Sequence, residues 1–203
     1  MQKIMFNDRY GLTDAVIEGR KTVTRRIIYG IDFPVNMVMG RALPDKDGKI
    51  YAVANGENII VKLRYKVGEV VAVAQSYRDI FKGMGQDDGR RAKYADEKYT
   101  PGYGNKMYVR ADMMIEHIRI KGVRCERLQD ISDEDCMKEG VVDVTYFKTG
   151  GRPYELFALP GHEYEETFNT PRRAFAALID KVSGRGTWDR NPWVVAYEFE
   201  LVK

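Results

Sequence analysis

The sequence predicts an α+β chain that is mostly β: a small, largely antiparallel β-barrel with short peripheral helices and long inserted loops. Three observations carry that expectation. Trp193, Val195, Tyr197, Phe199 and Leu201 alternate with Val194, Ala196, Glu198 and Glu200, the period of a strand with one covered face. Ile118 and Ile120 alternate with Arg119 and Lys121, and beyond Gly122 the pattern resumes with Val123 and Cys125 against Arg124 and Glu126. A bulge or bend at Gly122 would let this long strand, within Met113–Leu128, curve around a barrel. There is neither a βαβ rhythm nor an internal repeat, so the strands are expected to pair through turns.

The remaining elements follow in order. Leu12–Gly19 reads as a short helix, with Thr13 as its cap, Asp14 in the first turn and Gly19 suited to the left-handed exit. Thr22, Val23 and Thr24 are β-branched or hydroxylated residues that favour extension, so a helix-to-strand junction falls between Gly19 and Thr24. Residues 30–62 read as an insertion, and Asn55-Gly56 between Tyr51–Val53 and Ile59–Val61 signals a hairpin. Tyr65–Glu69 is a turn leading into an apolar strand, Val70–Ala74. Residues 78–106 form a long polar loop without periodicity, in which Lys82, Arg90, Arg91, Lys93, Lys98 and Lys106 mix with Tyr94, Tyr99 and Tyr103. Ser132–Gly140 is a helix capped by Ser132 and stopped by Gly140. Residues 145–169 are a further inserted loop. Thr170, Pro171 and Gly184 then delimit a helix whose apolar stripe is Phe175, Leu178, Ile179 and Val182.

Composition narrows the class. The 203 residues are 44% hydrophobic and 31% charged, the profile of one globular domain of residues 1–203. The net charge of +3 is too small to argue for nucleic acid by itself, but it is unevenly spread. Residues 1–30 carry six basic and three acidic side chains, whereas Asp130–Asp143 carries six acidic and one basic. Neither a signal peptide nor an apolar run of membrane-span length is seen, so a cytoplasmic protein without a membrane partner is expected. Cys125 and Cys136 do not have the spacing of a zinc site or a disulfide framework, and His117 and His162 are far apart. No metal and no cofactor is expected, and a Ser-His-Asp hydrolase is disfavoured.

The densest chemistry lies in Glu18-Gly-Arg-Lys-Thr-Val-Thr-Arg-Arg26, where five of nine side chains are charged. A threonine hydroxyl becomes a nucleophile when a base takes its proton, and a lysine serves as that base when burial or neighbouring cations depress its pKa. Lys21 beside Arg20, Arg25 and Arg26 fits that condition. In a regular strand positions 21 and 24 face opposite ways, so Lys21 and Thr24 converge only if the chain turns between them. Glu139 sits in the last turn of its helix, where an anion is disfavoured, as a carboxylate held for a purpose would be. Gln75 and Tyr77 offer further polar groups at the end of the apolar strand.

Five segments occur in an order that resembles the ASCH domain family, more narrowly its phage-associated members. They are Gly19-Arg-Lys-Thr-Val-Thr-Arg-Arg26, Tyr65-Lys-Val-Gly-Glu69, Glu126-Arg-Leu-Gln-Asp-Ile-Ser132, Glu139-Gly140 and Trp188-Asp-Arg-Asn-Pro-Trp193. The resemblance implies a PUA-like β-barrel that binds RNA or nucleosides, with 30–62, 78–106 and 145–169 as insertions. One small bacterial ASCH branch is a metal-independent amidohydrolase that removes the acetyl group from acetylcytidine. Similarity to it implies Lys21 as catalytic lysine, Thr24 as nucleophile and Glu139 as the accompanying glutamate. The chain departs from that branch in being about twice as long and in the paired arginines that follow Thr24.

The expected function is therefore RNA or nucleoside binding in a cleft around Lys21 and Thr24, with Arg20, Arg25, Arg26, Gln75 and Tyr77 as ligand-binding residues. The alternative is deacylation of a modified nucleoside by Lys21, Thr24 and Glu139, with Arg20 or Arg26 at the oxyanion. A second alternative is a non-catalytic, phage-derived interaction module.

Overall fold

The computed structural model describes residues 1–29, 49–54, 57–83, 100–147 and 153–202. Its strands, in chain order, are β1 (Lys3–Ile4), β2 (Val23–Ile27), β3 (Lys49–Ala54), β4 (Glu57–Lys62), β5 (Val70–Val73), β6 (His117–Arg127), β7 (Val142–Asp143), β8 (Tyr146–Phe147), β9 (Pro153–Tyr154), β10 (Phe157–Ala158), β11 (Thr167–Phe168) and β12 (Trp193–Val202). The helices are α1 (Leu12–Ile17), α2 (Tyr77–Gly83), α3 (Asp133–Lys138), α4 (Pro171–Ser183) and α5 (Thr187–Arg190). The architecture is mixed α/β: one five-stranded sheet in the order β1-β5-β6-β12-β2, small accessory sheets, and short helices around them.

The long antiparallel pair β6–β12 is the spine, because both strands carry the alternation that buries one face. Glu198 pairs with Gly122 and Phe199 with Ile120, so the register passes over Lys121. That extra residue is a bulge beside Gly122, where the sequence places one. A Cβ at Gly122 would come within 3.1 Å of Glu198 Oε2. Val194 and Ala196 are as fully buried as Val195, so the outward face of β12 becomes polar only from Glu198 onward. On that face Ala196 stands between its paired neighbours Arg25 and Arg124, whose long side chains are tied together through Glu126 and Asp135.

β1 pairs in parallel with β5, while the other ladders of this sheet are antiparallel. β1 and β2 are its edges, and among the described residues no backbone ladder joins them. A side chain crosses the gap instead. Arg26 donates from Nη2 to the Met5 carbonyl at 2.5 Å, and its guanidinium stands 5.6 Å from the centre of the Phe6 ring.

Local signals account for most helices. Ser132 Oγ accepts from the Asp135 N–H, and Gly140 ends the turn after α3 at φ 105°. Thr170 Oγ1 accepts from the Arg173 N–H, Pro171 opens α4, and Ala174, Phe175, Leu178 and Ile179 are buried. Two expectations need correction. The cap of α1 is Gly11 in the left-handed region, not Thr13, whose hydroxyl donates instead to Asp8 Oδ1. The segment expected to be a loop from residue 78 begins with α2, because Ser76 Oγ accepts from the Asp79 N–H and donates to its carboxylate.

The main core joins the inner face of the sheet to α1, α3 and α4 through residues such as Ile118, Leu128, Ile131, Phe175, Val195 and Phe199. A smaller cluster, Ala72, Ala74, Tyr77, Ile80, Phe81, Val109 and Met114, packs α2 under β5. The expected hairpin tip Asn55-Gly56 lies outside the described residues, although the strands flanking it are paired. The basic and aromatic residues Arg90, Arg91, Lys93, Tyr94, Lys98 and Tyr99 also lie outside them. Lys106 is buried, and its ammonium donates to the Phe6 carbonyl, Asp8 Oδ1 and Thr13 Oγ1, a strut between the N-terminal arm and residue 106. Among the described residues no helix is long and apolar enough to cross a membrane.

Candidate functional site

Lys21 is held where two helices end. Its own N–H donates to the Ala15 carbonyl of α1 at 2.8 Å, and the next N–H, of Thr22, donates to the Lys138 carbonyl of α3 at 2.9 Å. The chain is thereby turned before β2 begins, as convergence of Lys21 with strand residues requires. Lys21 Nζ donates to Glu139 Oε2 at 2.5 Å and to the Glu139 carbonyl at 2.7 Å. An ammonium at this position also meets the negative end of the helix. Glu139 Oε1 accepts from Arg25 at 3.1 Å, so the carboxylate is shared by two cations. The side chains of Lys21, Glu139 and Arg25 are 2%, 6% and 1% exposed, which makes this a buried ion cluster rather than a surface pair.

The strand register explains why Arg25 behaves unlike its neighbours. Arg25 pairs with Ala196, which pairs with Arg124, so both arginines stand on the same face of the sheet. There Arg25 donates from Nε to Glu126 Oε1 at 2.7 Å and from Nη2 to Asp135 Oδ2 at 2.8 Å. Arg124 extends the network to Glu126 Oε2, Asp135 Oδ2 and Glu198 Oε1. With all three guanidinium nitrogens on protein carboxylates, Arg25 fixes Glu139 in place. Thr24 pairs with Tyr197 and Arg26 with Val195, so these two side chains stand on the other, inner face.

That inner face opens into a cavity of about 760 Å³. Lys21, Thr24, Arg25, Arg26 and Glu139 line it together with Arg64, Tyr65 and Tyr197. Leu12, Phe175, Leu178 and Ile179 contribute its apolar wall. The Tyr65 and Tyr197 rings meet edge to face, 5.3 Å between centres. Tyr65 donates its hydroxyl proton to the Lys3 carbonyl, and the Tyr197 oxygen accepts from the Arg64 N–H at 3.2 Å. Burial pushes the pKa of both phenols up. Burial likewise pulls the Lys21 ammonium below the usual lysine value; Glu139 opposes this, and the charges of Arg26 and Arg25 reinforce it. The cavity therefore holds a lysine whose pKa burial lowers, a hydroxyl, a fixed carboxylate and two aromatic rings.

Three predicted site residues lie elsewhere. Arg20 pairs with Glu18 at 2.5 Å on the surface and lines a separate, shallower groove with Thr22, Glu134, Lys138 and Asp143. Gln75 is buried beside β6, where its side-chain oxygen accepts from the Glu116 N–H. Tyr77 stacks on Phe81, 6.0 Å between ring centres, in the smaller core cluster. Tyr77 belongs to the packing under β5, and neither residue is part of the lining of this cavity.

The structure adds Arg64, Tyr65 and Tyr197. Tyr65 and Tyr197 were visible in sequence as a turn residue and an inward strand position. Arg64 carried no signal, because only the pairing of distant strands brings it to the cavity mouth.

Comparison of the chain with protein-family models, with curated proteins and with solved structures returns no match. What the cavity can bind or transform follows from its own chemistry. Among the described residues no group of three or more His, Cys, Asp or Glu side chains is placed to hold a metal ion. Cys125 and Cys136 are buried free thiols.

Proposed function

We propose that this chain is an ASCH-type protein that binds RNA or a nucleoside in the cavity around Lys21 and Thr24, on a sheet that is a PUA-like barrel left open between β1 and β2. The observation that carries this reading is the meeting, in one cavity, of the Lys21–Glu139 pair, the Thr24 position, Arg26 and Arg64 with the rings of Tyr65 and Tyr197. A space of about 760 Å³ falls in the range of small-ligand sites and accommodates a nucleoside. Aromatic faces give bases stacking surface, and fixed polar groups orient them. The Arg26 link from β2 to Met5 supports the barrel reading, since it draws the two sheet edges toward each other.

The test is a titration of the purified protein with cytidine, acetylcytidine, adenosine, guanosine, uridine and a short single-stranded RNA, read by calorimetry. Binding by at least one of these, weakened by Tyr197→Phe and by Arg26→Ala, is the expected result. Failure of the whole series to bind overturns the proposal.

Contact between Lys21 and Glu139, with Thr24 in the same cavity, favours a second reading, an amidohydrolase. The Thr24 oxygen attacks the amide carbonyl carbon and its proton passes to neutral Lys21. The tetrahedral adduct, its oxyanion facing Arg26, expels the amine, which takes the proton back from Lys21. Water, deprotonated by Lys21, then attacks the acyl ester and releases the acid with regeneration of Thr24. Release of acetate from acetylcytidine by the wild type and none by Lys21→Ala is expected. Undiminished release by Thr24→Ala eliminates this mechanism.

A further inference from the structure

We infer that the cavity carries an anion subsite formed by Arg26 and Arg64, and that its ligand is a phosphate ester of a nucleoside rather than the free nucleoside. This rests on the proposed nucleoside-type ligand and specifies its chemistry.

The inference comes from the charges around the cavity. Among the described residues the ionic members of its lining are Lys21, Arg25, Arg26, Arg64 and Glu139. Lys21 and Glu139 form one ion pair at 2.5 Å, and Arg25 is matched by Glu126, Asp135 and Glu139. Arg26 and Arg64 remain. Among the described residues neither makes a salt bridge, and the nearest carboxylate of the lining, Glu139, has both oxygens engaged. The polar contact of the Arg26 guanidinium is a neutral carbonyl, that of Met5, and its ring neighbour is Phe6. Arg64 places its guanidinium 5.7 Å from the centre of the Tyr65 ring. Neither neighbour cancels a charge.

Two guanidiniums facing one partly enclosed space repel each other unless an anion lies between them. Arginine forks match the oxygens of a phosphate, and such bonds strengthen when water is excluded. Both arginines also stand beside aromatic rings: Phe6 beneath Arg26, and Tyr65, with Tyr197 edge-on to it, beneath Arg64. A phosphate gripped by the arginines therefore leaves its attached base within reach of these rings and of the wall formed by Leu12, Phe175 and Leu178. Arg20 and Arg25, the other cations of the same sequence run, are excluded from this subsite because one pairs with Glu18 on the surface and the other is saturated by carboxylates.

The test is calorimetric titration of the full chain with each nucleoside, its 5′-monophosphate, inorganic phosphate, and a trinucleotide lacking terminal phosphates. The wild type, Arg64→Ala, Arg26→Lys and, as a control for lost charge on the outer sheet, Arg119→Ala are compared. Arg64 is exposed and engages Tyr197 through its backbone N–H, so Arg64→Ala retains that contact. The wild type is expected to bind the monophosphate roughly tenfold more tightly than the nucleoside. Arg64→Ala is expected to bind nucleoside and monophosphate with equal affinity, and to lower the salt slope by about one. Arg119→Ala is expected to behave as wild type. A trinucleotide that binds like the monophosphate assigns the anion to an internal phosphate; one that binds like the nucleoside assigns it to a terminal one; both outcomes keep the subsite. Equal affinity for nucleoside and monophosphate, or a preference that persists in Arg64→Ala, overturns the inference while leaving nucleoside binding intact. Absence of binding by every compound overturns both.

Discussion

Lys21 grips Glu139 twice, through carboxylate Oε2 at 2.5 Å and through the main-chain carbonyl at 2.7 Å. These residues are 118 positions apart in sequence, so the pair exists only when the entry to β2 and the end of α3 are both in place. The double contact fixes the lysine against the helix end, and the bond from Arg25 to Oε1 fixes the carboxylate in turn.

Replacing Glu139 by Gln leaves Lys21 and Arg25 facing each other without the intervening charge. Removing one member of a buried ion pair costs about 3–5 kcal/mol. Chemical denaturation of Glu139→Gln is expected to show a loss on that order, with a larger loss at pH 6 than at pH 10, where Lys21 gives up its proton more readily. A loss below about 0.5 kcal/mol, the level of an ordinary surface change, contradicts the buried network.

Substitutions at Thr24 separate the proposed binding from the proposed deacylation. Thr24→Ser keeps the hydroxyl and is expected to retain both nucleoside binding and any acetate release. Thr24→Ala is expected to keep binding within a few fold and to abolish release. Stability should fall by about 1 kcal/mol in Thr24→Ser, which loses a buried methyl, and by more in Thr24→Ala, which loses methyl and hydroxyl together. Calorimetry and an acetate assay on the same preparations make the comparison.

The cysteines set an alkaline limit. Burial pushes Cys125 and Cys136 from 9.0 up to about 12. A raised folded pKa stabilises fully below the unfolded value and is lost as pH rises, so stability declines from pH 9 toward 12, on the order of 1 kcal/mol per pH unit for each thiol. Lys21 has the opposite sign: its folded pKa is lowered, so its burial penalty is present at lower pH and is relieved as pH rises toward 10.5. Melting curves from pH 8 to 11 are expected to fall in the wild type and to fall less in Cys125→Ala/Cys136→Ala, where the raised phenols of Tyr65 and Tyr197 still cost stability above pH 10. An Ellman titration at pH 8 should find both thiols unreactive until the chain unfolds.

Gly140 carries the backbone from Glu139 out of α3 at φ 105°, where a side chain is strained. Space is not the obstacle, since a Cβ there would make ordinary contacts of 3.6–3.7 Å with Leu12, Ala15 and Lys21. Gly140→Ala is therefore expected to cost about 1–3 kcal/mol through conformation alone. Because the strain falls next to Glu139, ligand affinity is expected to drop as well, while Gly104→Ala, at an open position, should change neither.

Much of this molecule was legible because its signals are local. Ser132 and Gly140 bound one helix, Pro171 and Gly184 another, the alternation in Trp193–Leu201 is a strand, and Gly122 marks the bulge. The helix after Ser76 was legible too, in Ser76 and Asp79, but the polar run beyond it obscured the cap. The parallel pairing of β1 was not: two residues, Lys3 and Ile4, carry no period. Within the site, the convergence of Lys21, Thr24 and Glu139 on one cavity agrees with residue chemistry and spacing. The division of labour among the arginines does not follow from sequence. Arg25 and Arg26 are adjacent and chemically identical, and only the register with Ala196 and Val195 sends one to a carboxylate cluster and the other to the cavity. Tyr77 follows the right strand but packs in the smaller cluster under it, and Gln75 is tied to the backbone at Glu116.

The bond from Arg26 to the Met5 carbonyl has a thermodynamic consequence. It is the clasp that fastens the N-terminal arm across the open seam of the sheet, and it uses the same guanidinium that an anionic ligand would recruit. A ligand that takes the Nη2 donor of Arg26 away from Met5 would couple occupancy of the cavity to release of the arm, each weakening the other by the same factor. Amide exchange at Met5 to Asn7, followed with and without ligand, reads that exchange of partners directly.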